Sequence, residues 1–413
     1  MNLLNSNDIY KNQFYFLRLS SSILLGSMPF FPLIKEWSLN FGNMLEIILI
    51  LLLCVALIRI IAINNTRFII NVVLLYSAII IILVLFTLGS KDIIDSISAL
   101  RLYIEPLILS LSIIILSKYS FVDAFKILKL NVLVLLTISS LAIVQFVYPE
   151  IIVSIHSPDY YSILRWKTDF IAFSNYNRAI SVFNDPNVLA LYLLLSLPTI
   201  FLFDEIKNIG KAKKILFLLL VIGAIILTNS RQALFILFFY FIVFLIRNYK
   251  RNILLISFAS GGILIAVLYV FGKGEIKEKI FDWLRFRNDT VGLNGRSEDW
   301  SYFFNNIDKT IFFGNGLNTG RSISMENSYL LLVSQIGVIG LTLMFVLLAG
   351  LIFIIINHNY PINDYAIYPL LAFVLSCLVG DYILISVISS IAVFVILFGY
   401  KRKEEGSIEN PTS

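Results

Sequence analysis

The sequence predicts an all-α polytopic membrane protein with about twelve transmembrane helices and two long loops on one face. Composition is the first observation, because 59% of the 413 residues are hydrophobic, 14% are charged and the mean hydropathy is +0.88. Soluble domains are about half apolar and about a quarter charged. The second observation is a series of apolar runs of about 20 residues, the length of a helix that crosses a bilayer. The third is that Lys and Arg gather in alternate loops.

The predicted spans are apolar runs separated by polar or turn-forming residues. In chain order they are 14–34, 44–63, 68–89, 98–117, 128–148, 187–203, 214–230, 232–246, 253–272, 329–356, 365–383 and 384–400. No small-residue cleavage site follows the first run, so we expect that run to remain as a membrane anchor. We therefore expect residues 1–413 to form a single integral membrane domain.

Positive charge is distributed unevenly among the predicted connections. Short connections that retain Lys and Arg usually face the cytoplasm, and here they share one side with both predicted termini. The net charge of +6 is then a signal of topology, and no nucleic-acid partner is expected. The residues of this pattern are Arg59, Arg67, Lys118, Lys126, Lys207, Lys211, Lys213, Lys214, Arg247, Lys250, Arg251, Lys401, Arg402 and Lys403.

Two long connections, 149–185 and 272–327, are predicted on the opposite, outer face. Loops of this length are usually functional or disordered, and both are rich in aromatic and charged residues. In the second loop, one face of a predicted helix carries Ile276, Ile280, Trp283 and Leu284. This helix either lies along the membrane surface or packs on its own loop.

Cysteine and histidine usage indicates neither a disulfide scaffold nor a metal site. Cys54 and Cys377 fall inside apolar runs, where neither is expected to act as a catalytic thiol. His156 and His358 fall in loops predicted on opposite sides. No metal and no cofactor are therefore predicted.

Charged residues occur at the outer ends of several spans. Arg178 and Asp185 precede the sixth span, and Asp185 followed by Pro186 is typical of a helix cap. Arg231 opens the eighth span after a tight turn. An arginine there is costly unless it snorkels to lipid phosphate, pairs with an acid or binds an anionic ligand.

Two further arginines lie near the predicted outer face. Arg101 stands one turn before Glu105 in the fourth span, and an internal ion pair is the leading explanation for both residues. Arg296 follows Gly295 in the second long loop. Because arginine binds phosphate oxygens through a planar fork, several arginines converging beside a carboxylate would suit a lipid diphosphate.

Five stretches in a fixed order resemble the O-antigen polymerase/ligase superfamily of bacterial envelope proteins, the Wzy-type proteins. They are RAISVFNDPN from Arg178, TNSR from Thr228, GRSEDW from Gly295, FFGNGLNTG from Phe312 and ENSYLLLVSQIGVIGL from Glu326. The resemblance implies a glycosyltransferase of the GT-C class in the bacterial cytoplasmic membrane, with its site facing outward. It implies a donor glycan on undecaprenyl diphosphate, and a flippase and chain-length regulators as further partners.

The resemblance also implies roles for residues of this chain. Arg231 and Arg296 would hold the diphosphate, and Glu326 would act as general base. Further substrate-binding candidates are Arg178, Asn327, Arg321 and Arg101. Metal-binding GT-C enzymes carry acidic pairs in the first outer loop, where this chain has Glu36 as its only acid, so a metal-independent reaction is expected.

Several alternatives stay open. Ligases of the superfamily, which transfer the glycan to lipid A-core, usually have histidine at the position of Glu326, so the acid favours a polymerase over a ligase. Glu326 is alternatively the N-cap of the following helix. A polysaccharide or lipid transporter is the alternative from another class, although the spans contain few deep charges to line a path.

Overall fold

The computed structural model describes residues 6–63, 66–90, 93–148, 178–183, 185–248, 311–317, 327–361, 363–378 and 385–399. In these ranges the regular secondary structure is helical and contains no strand. Seven of the described helical segments are long and apolar enough to cross a membrane. The structure therefore confirms the all-α polytopic membrane class. The predicted span 253–272, the predicted helix at 276–284 and most of both long loops lie outside the described residues, so the number twelve stays a prediction.

Thirteen α-helices are numbered here in chain order through the described part of the chain. They are α1 Ser6–Ser27, α2 Phe31–Trp37 after a 3₁₀ turn at Met28–Phe30, α3 Leu39–Ile63, α4 Arg67–Leu88, α5 Ile93–Tyr119, α6 Phe121–Val147, α7 Pro186–Ser196, α8 Pro198–Lys207, α9 Lys211–Leu227, α10 Arg231–Asn248, α11 Ser328–Asn357, α12 Ile367–Cys377 and α13 Ser386–Leu397.

Proline accounts for several of these boundaries. Pro186 and Pro198 each begin a helix, a position where the missing N–H has no intrahelical partner to lose. The predicted sixth span therefore consists of two consecutive helices, α7 and α8. Pro106 lies inside α5, where it removes one main-chain donor from the helix.

Burial separates the helices of the centre from those that face lipid. Every side chain from Leu189 to Ser196 in α7 is buried, and α7 packs against α6, α9, α10, α12 and α13. In α3, by contrast, Leu51, Val55 and Ile58 follow a helical spacing and are each more than half exposed. An apolar stripe of this kind is costly in water and is expected against hydrocarbon.

The polar turns gather at one end of the bundle. Helices α5 and α6 are joined at Ser120 alone, so the start of α5 and the end of α6 lie at the same end. Ser96 near the start of α5 donates to the carbonyl of Leu317 (2.7 Å), and Gln145 near the end of α6 accepts from the N–H of Ile180 (3.0 Å). We call this end the motif face. Its orientation in the cell stays a prediction.

The opposite end carries the basic connections, and we call it the basic face. Lys118 Nζ donates to the carbonyl of His358 there and lies 5.3 Å from the ring centre of Phe68. Lys214 pairs with Asp204 at 2.9 Å. Several cations of the predicted cytoplasmic side therefore hold neighbouring loops together through carbonyls, rings and acids.

Candidate functional site

A three-residue turn on the motif face joins α9 to α10. Asn229 has a left-handed backbone (φ 48°), which asparagine adopts more readily than most residues. The Thr228 hydroxyl donates to the carbonyl of Ile225 (2.7 Å), and the N–H of Ser230 donates to that hydroxyl (3.3 Å). The turn is therefore specified by its own side chains, and it places Arg231 as the first residue of α10.

Arg178 binds this turn and the start of α7 at the same time. Its Nε donates to the carbonyl of Thr228 (2.8 Å), and its Nη2 donates to Oδ1 of Asn187 (3.0 Å). The N–H of Ala179 donates to the carbonyl of Leu227 (3.0 Å). Two motifs separated by about fifty residues in sequence, RAISVFNDPN and TNSR, are thus in direct contact.

Asp185 is a helix cap, as its sequence context predicts. Its Oδ1 accepts from the N–H groups of Asn187 (2.6 Å) and Val188 (3.4 Å), and Pro186 occupies the first helical position. The carboxylate therefore satisfies main-chain donors at the start of α7.

A small cleft lies beside the turn, between α7 and α10. The space inside it is too narrow for a water molecule, and its lining is polar near the turn and apolar further along the two helices. The lining residues are Asn187, Leu191, Leu194, Ser230, Gln232, Ala233 and Ile236.

Helix α11 is interrupted at Gly337. This residue has φ 66° and ψ 178°, well outside helical values, and the segment 311–317 lies across the interruption. The N–H groups of Asn315 and Gly316 donate to the carbonyls of Ser334 (2.8 Å) and Gln335 (3.0 Å). On the other side of the break, the N–H of Val338 donates to the carbonyl of Ile311 (2.8 Å), and the N–H of Ile339 donates to the carbonyl of Phe312 (3.1 Å). The main-chain groups freed by the break are therefore satisfied by the loop.

Glycine is required where the loop meets the broken helix. A Cβ at Gly337 would overlap the carbonyl oxygen of Phe312, and a Cβ at Gly314 (φ 70°) would overlap the carbonyl oxygen of Gln335. The FFGNGLNTG and SQIGVIGL stretches therefore pack main chain against main chain. A buried hydrogen bond from Tyr103 to Oε1 of Gln335 (2.6 Å) ties the first half of α11 to α5.

Asn327 is the N-cap of α11. Its Oδ1 accepts from the N–H groups of Tyr329 (3.0 Å) and Leu330 (3.1 Å), while its Nδ2 donates to the carbonyl of Leu378 (3.0 Å). The alternative interpretation of Glu326 as the N-cap is therefore wrong, because Asn327 holds that position. The observed contacts of Asn327 are structural, and its predicted contact with substrate stays a prediction.

Arg101 pairs across the bundle. Its Nη1 lies 3.3 Å from Oε2 of Glu46 in α3 and donates to Oδ1 of Asn43 (3.2 Å). Lys35 lies 2.6 Å from the same Glu46 oxygen. Sequence reasoning offered Glu105, one turn away, as the partner, and it missed Glu46 because that acid lies inside an apolar run. Glu46 is fully buried, and a buried carboxylate requires partners of opposite charge such as these two cations.

The remaining predicted site residues are only partly visible. Arg296, Arg321 and Glu326 lie outside the described residues, and for Arg231 only the main chain is described. Within the described ranges, no group of three or more His, Cys, Asp or Glu side chains is placed to hold a metal ion.

These features define the class of the protein. In its described residues it is an all-α membrane protein in which polar turns and an interrupted helix meet at the motif face. A comparison with protein families then finds a match over part of the chain. The family model described as O-antigen ligase (Wzy_C) matches residues 216–345. This segment contains the TNSR turn, the loop 311–317 and the break in α11, and the match confirms the resemblance to the O-antigen polymerase/ligase superfamily. No curated protein matches the chain.

Proposed function

We propose that this protein polymerises oligosaccharide repeat units carried on undecaprenyl diphosphate at the outer face of the bacterial cytoplasmic membrane. The product would be O-antigen, capsule or exopolysaccharide. The observation that carries the proposal is the family match over 216–345, which contains five of the proposed site residues, Arg231, Arg296, Arg321, Glu326 and Asn327. The contact between the Arg178 segment and the TNSR turn adds support, because it brings two motifs together at the face where the α11 motif begins.

The proposed chemistry is a single displacement. Glu326 takes the proton from a hydroxyl of the acceptor sugar, and the oxygen attacks the anomeric carbon of the donor. The bond from that carbon to the diphosphate oxygen breaks, and its electron pair leaves with undecaprenyl diphosphate. Attack from the side opposite the leaving group inverts the anomeric configuration.

Arg231 and Arg296 stabilise the departing diphosphate in this proposal. A guanidinium stays charged at any physiological pH and donates two parallel hydrogen bonds to phosphate oxygens. Preorganised donors of this kind lower a barrier by several kcal/mol when charge develops on the leaving group. With two arginines in this role, the reaction requires no metal ion.

The position of Asn327 supports the assignment of Glu326 as base. Because the side chain of Asn327 caps α11, the adjacent carboxylate of Glu326 is not needed for capping. An acid here, rather than the histidine usual in ligases, favours the polymerase. The matched family is described as O-antigen ligase, so transfer of glycan to lipid A-core is the second candidate.

The base is tested by Glu326→Gln in purified protein supplied with lipid-linked repeat units. Glutamine keeps the size of the side chain but does not accept a proton at neutral pH, so polymerisation should fall by about 10²–10⁴-fold with donor binding retained. Glu205→Gln on the basic face is the matched control and should keep full activity. Normal chain lengths at a normal rate from Glu326→Gln would remove Glu326 from the mechanism.

The diphosphate ligands are tested by binding. Arg231→Lys keeps the charge but loses the planar fork, so binding of undecaprenyl diphosphate should be impaired. An arginine that only snorkels to lipid tolerates this change, because lysine snorkels as well. Arg296→Ala should weaken donor binding together with turnover.

Polymerase and ligase are separated by the products of a deletion strain. Without a polymerase, single repeat units remain on the carrier or acceptor and long chains are absent. Without a ligase, long polymer accumulates on undecaprenyl diphosphate. The second result would replace the proposed function with the ligase.

A further inference from the structure

The guanidinium of Arg178 is engaged with the protein in two directions. Its Nε and Nη2 donate to the carbonyl of Thr228 (2.8 Å) and to Oδ1 of Asn187 (3.0 Å). These acceptors belong to the C-terminal end of α9 and the first turn of α7. A single rigid fork therefore fixes the distance between two helices on the motif face.

These bonds also satisfy the end of α9. The last carbonyls of a helix have no intrahelical partner, and here the carbonyls of Leu227 and Thr228 accept from the N–H of Ala179 and the guanidinium of Arg178. A cation at the C-terminus of a helix is also favourable for the helix dipole. Arg178 is thus a side-chain cap supplied from another part of the chain.

The capped residue is the first residue of the turn that leads to Arg231. Thr228 bonds Ile225 and Ser230 through its hydroxyl, Asn229 follows in the left-handed conformation, and α10 begins two residues later. We therefore expect a displacement of the Thr228 carbonyl to move the start of α10. The segment that carries Arg178 is itself anchored, because Oε1 of Gln145 accepts from the N–H groups of Ile180 and Ser181.

We propose that Arg178 is a positioning residue that sets the start of α10, and that it acts on a lipid diphosphate through Arg231 rather than by direct contact. The proposal rests on the proposed function, because it presumes that Arg231 binds the diphosphate. Direct contact between Arg178 and the substrate, the prediction from sequence, is the opposing case. In that case the guanidinium leaves the Thr228 carbonyl to bind the ligand.

The decisive experiment is a double-mutant cycle on binding of undecaprenyl diphosphate to the full chain in nanodiscs. Arg178→Lys should weaken binding roughly tenfold, which equals about 1.4 kcal/mol, because lysine cannot hold both acceptors with one planar fork. In the Arg231→Lys background the same substitution should have almost no further effect. An equal loss in both backgrounds would mean that Arg178 contacts the ligand itself, and the proposal would be overturned.

Asn187→Ala provides a second test in which both arginines are kept. It removes the second acceptor of the fork, so a positioning role for Arg178 predicts weaker binding of undecaprenyl diphosphate, in the same direction as Arg178→Lys. If Arg178 is a direct ligand, releasing it from Asn187 leaves binding unchanged or improves it. That outcome contradicts the proposal.

Hydrogen exchange supplies a readout that needs no substrate. Arg178→Lys should accelerate exchange at the N–H of Ala179 and in peptides spanning 227–231, whereas Arg67→Lys, an exposed arginine on the basic face, should not. Unchanged exchange would contradict the positioning role. If the wild-type protein does not bind undecaprenyl diphosphate, the proposed function fails and this inference fails with it. If the wild-type protein binds undecaprenyl diphosphate but the effects of the two substitutions are additive, only the positioning role of Arg178 is overturned.

Discussion

Replacing Gly337 with alanine should destabilise the protein strongly, because the break in α11 depends on a glycine. The residue lies in a backbone region (φ 66°, ψ 178°) that is essentially restricted to glycine and costs about 1–3 kcal/mol for other residues. The added Cβ would also overlap the carbonyl oxygen of Phe312. Since that carbonyl belongs to the main chain of 311–317, the overlap is relieved only by moving the loop away from the helix.

The magnitude follows from the hydrogen bonds that hold the loop. Moving it breaks at least the two bonds from Val338 and Ile339 to the loop carbonyls. Each main-chain bond contributes about 1 kcal/mol net, and more when its donor is left unsatisfied away from water. Together with the backbone strain, Gly337→Ala should lower the free energy of unfolding by about 3–5 kcal/mol.

Denaturation of the purified protein in detergent, followed by circular dichroism, measures this loss. Gly223→Ala in α9 is the matched control, because its backbone is helical and, among the described residues, no atom beyond the local helix backbone lies within 4 Å of its added Cβ. Alanine is the better helix former, so the control should keep or gain up to about 1 kcal/mol. If Gly337→Ala is as stable as the wild type, α11 does not depend on a break at Gly337 that is held by the loop 311–317, and the reasoning is refuted.

Three further predictions concern topology and packing. A cysteine that replaces Asn294 should react with an impermeant thiol reagent added outside intact spheroplasts, and one that replaces Asn208 should not. The reason is that the basic connections are predicted to face the cytoplasm. The reverse labelling would place the proposed site on the cytoplasmic side and contradict the proposed function. Glu46→Gln should lower the free energy of unfolding by about 3 kcal/mol, because it leaves Lys35 beside a neutral amide, and an unchanged unfolding curve would show that the pair contributes nothing. Asp185→Ala should cost about 1 kcal/mol through loss of the α7 cap, measured by the same denaturation.

The membrane class was predictable because it depends on local quantities. Apolar runs of about 20 residues and the distribution of Lys and Arg require no knowledge of which helices touch. The cap at Asp185 was predictable for the same reason, since both the acceptor and its donors lie within four residues. The structure adds that the predicted sixth span is divided at Pro198 into α7 and α8.

Contacts between distant parts of the chain were not predictable from one sequence. Glu46 reaches Arg101 across 55 positions, whereas the predicted partner Glu105 is only one turn away on the same helix. Local spacing favours the near partner, but helix packing decides which acid faces the cation. The break at Gly337 was missed for a similar reason, because a single glycine in an apolar run costs little in a helix and becomes a break only when another segment supplies the hydrogen bonds.

Two places on the motif face follow the same physical rule. At the end of α9 and at the break in α11, main-chain groups are freed within or near the membrane, where an unsatisfied group costs several kcal/mol. In both places a motif-bearing segment supplies the missing partners, through Arg178 and Ala179 in one case and through 311–317 in the other. Many residues of these motifs are therefore explained by main-chain geometry alone. Arg296, Arg321 and Glu326 lie outside the described residues, and only the main chain of Arg231 is described, so their roles rest on the proposed function. Substitutions in the motifs should accordingly divide into two groups, one that lowers the amount of folded protein and one that leaves folding intact and abolishes turnover.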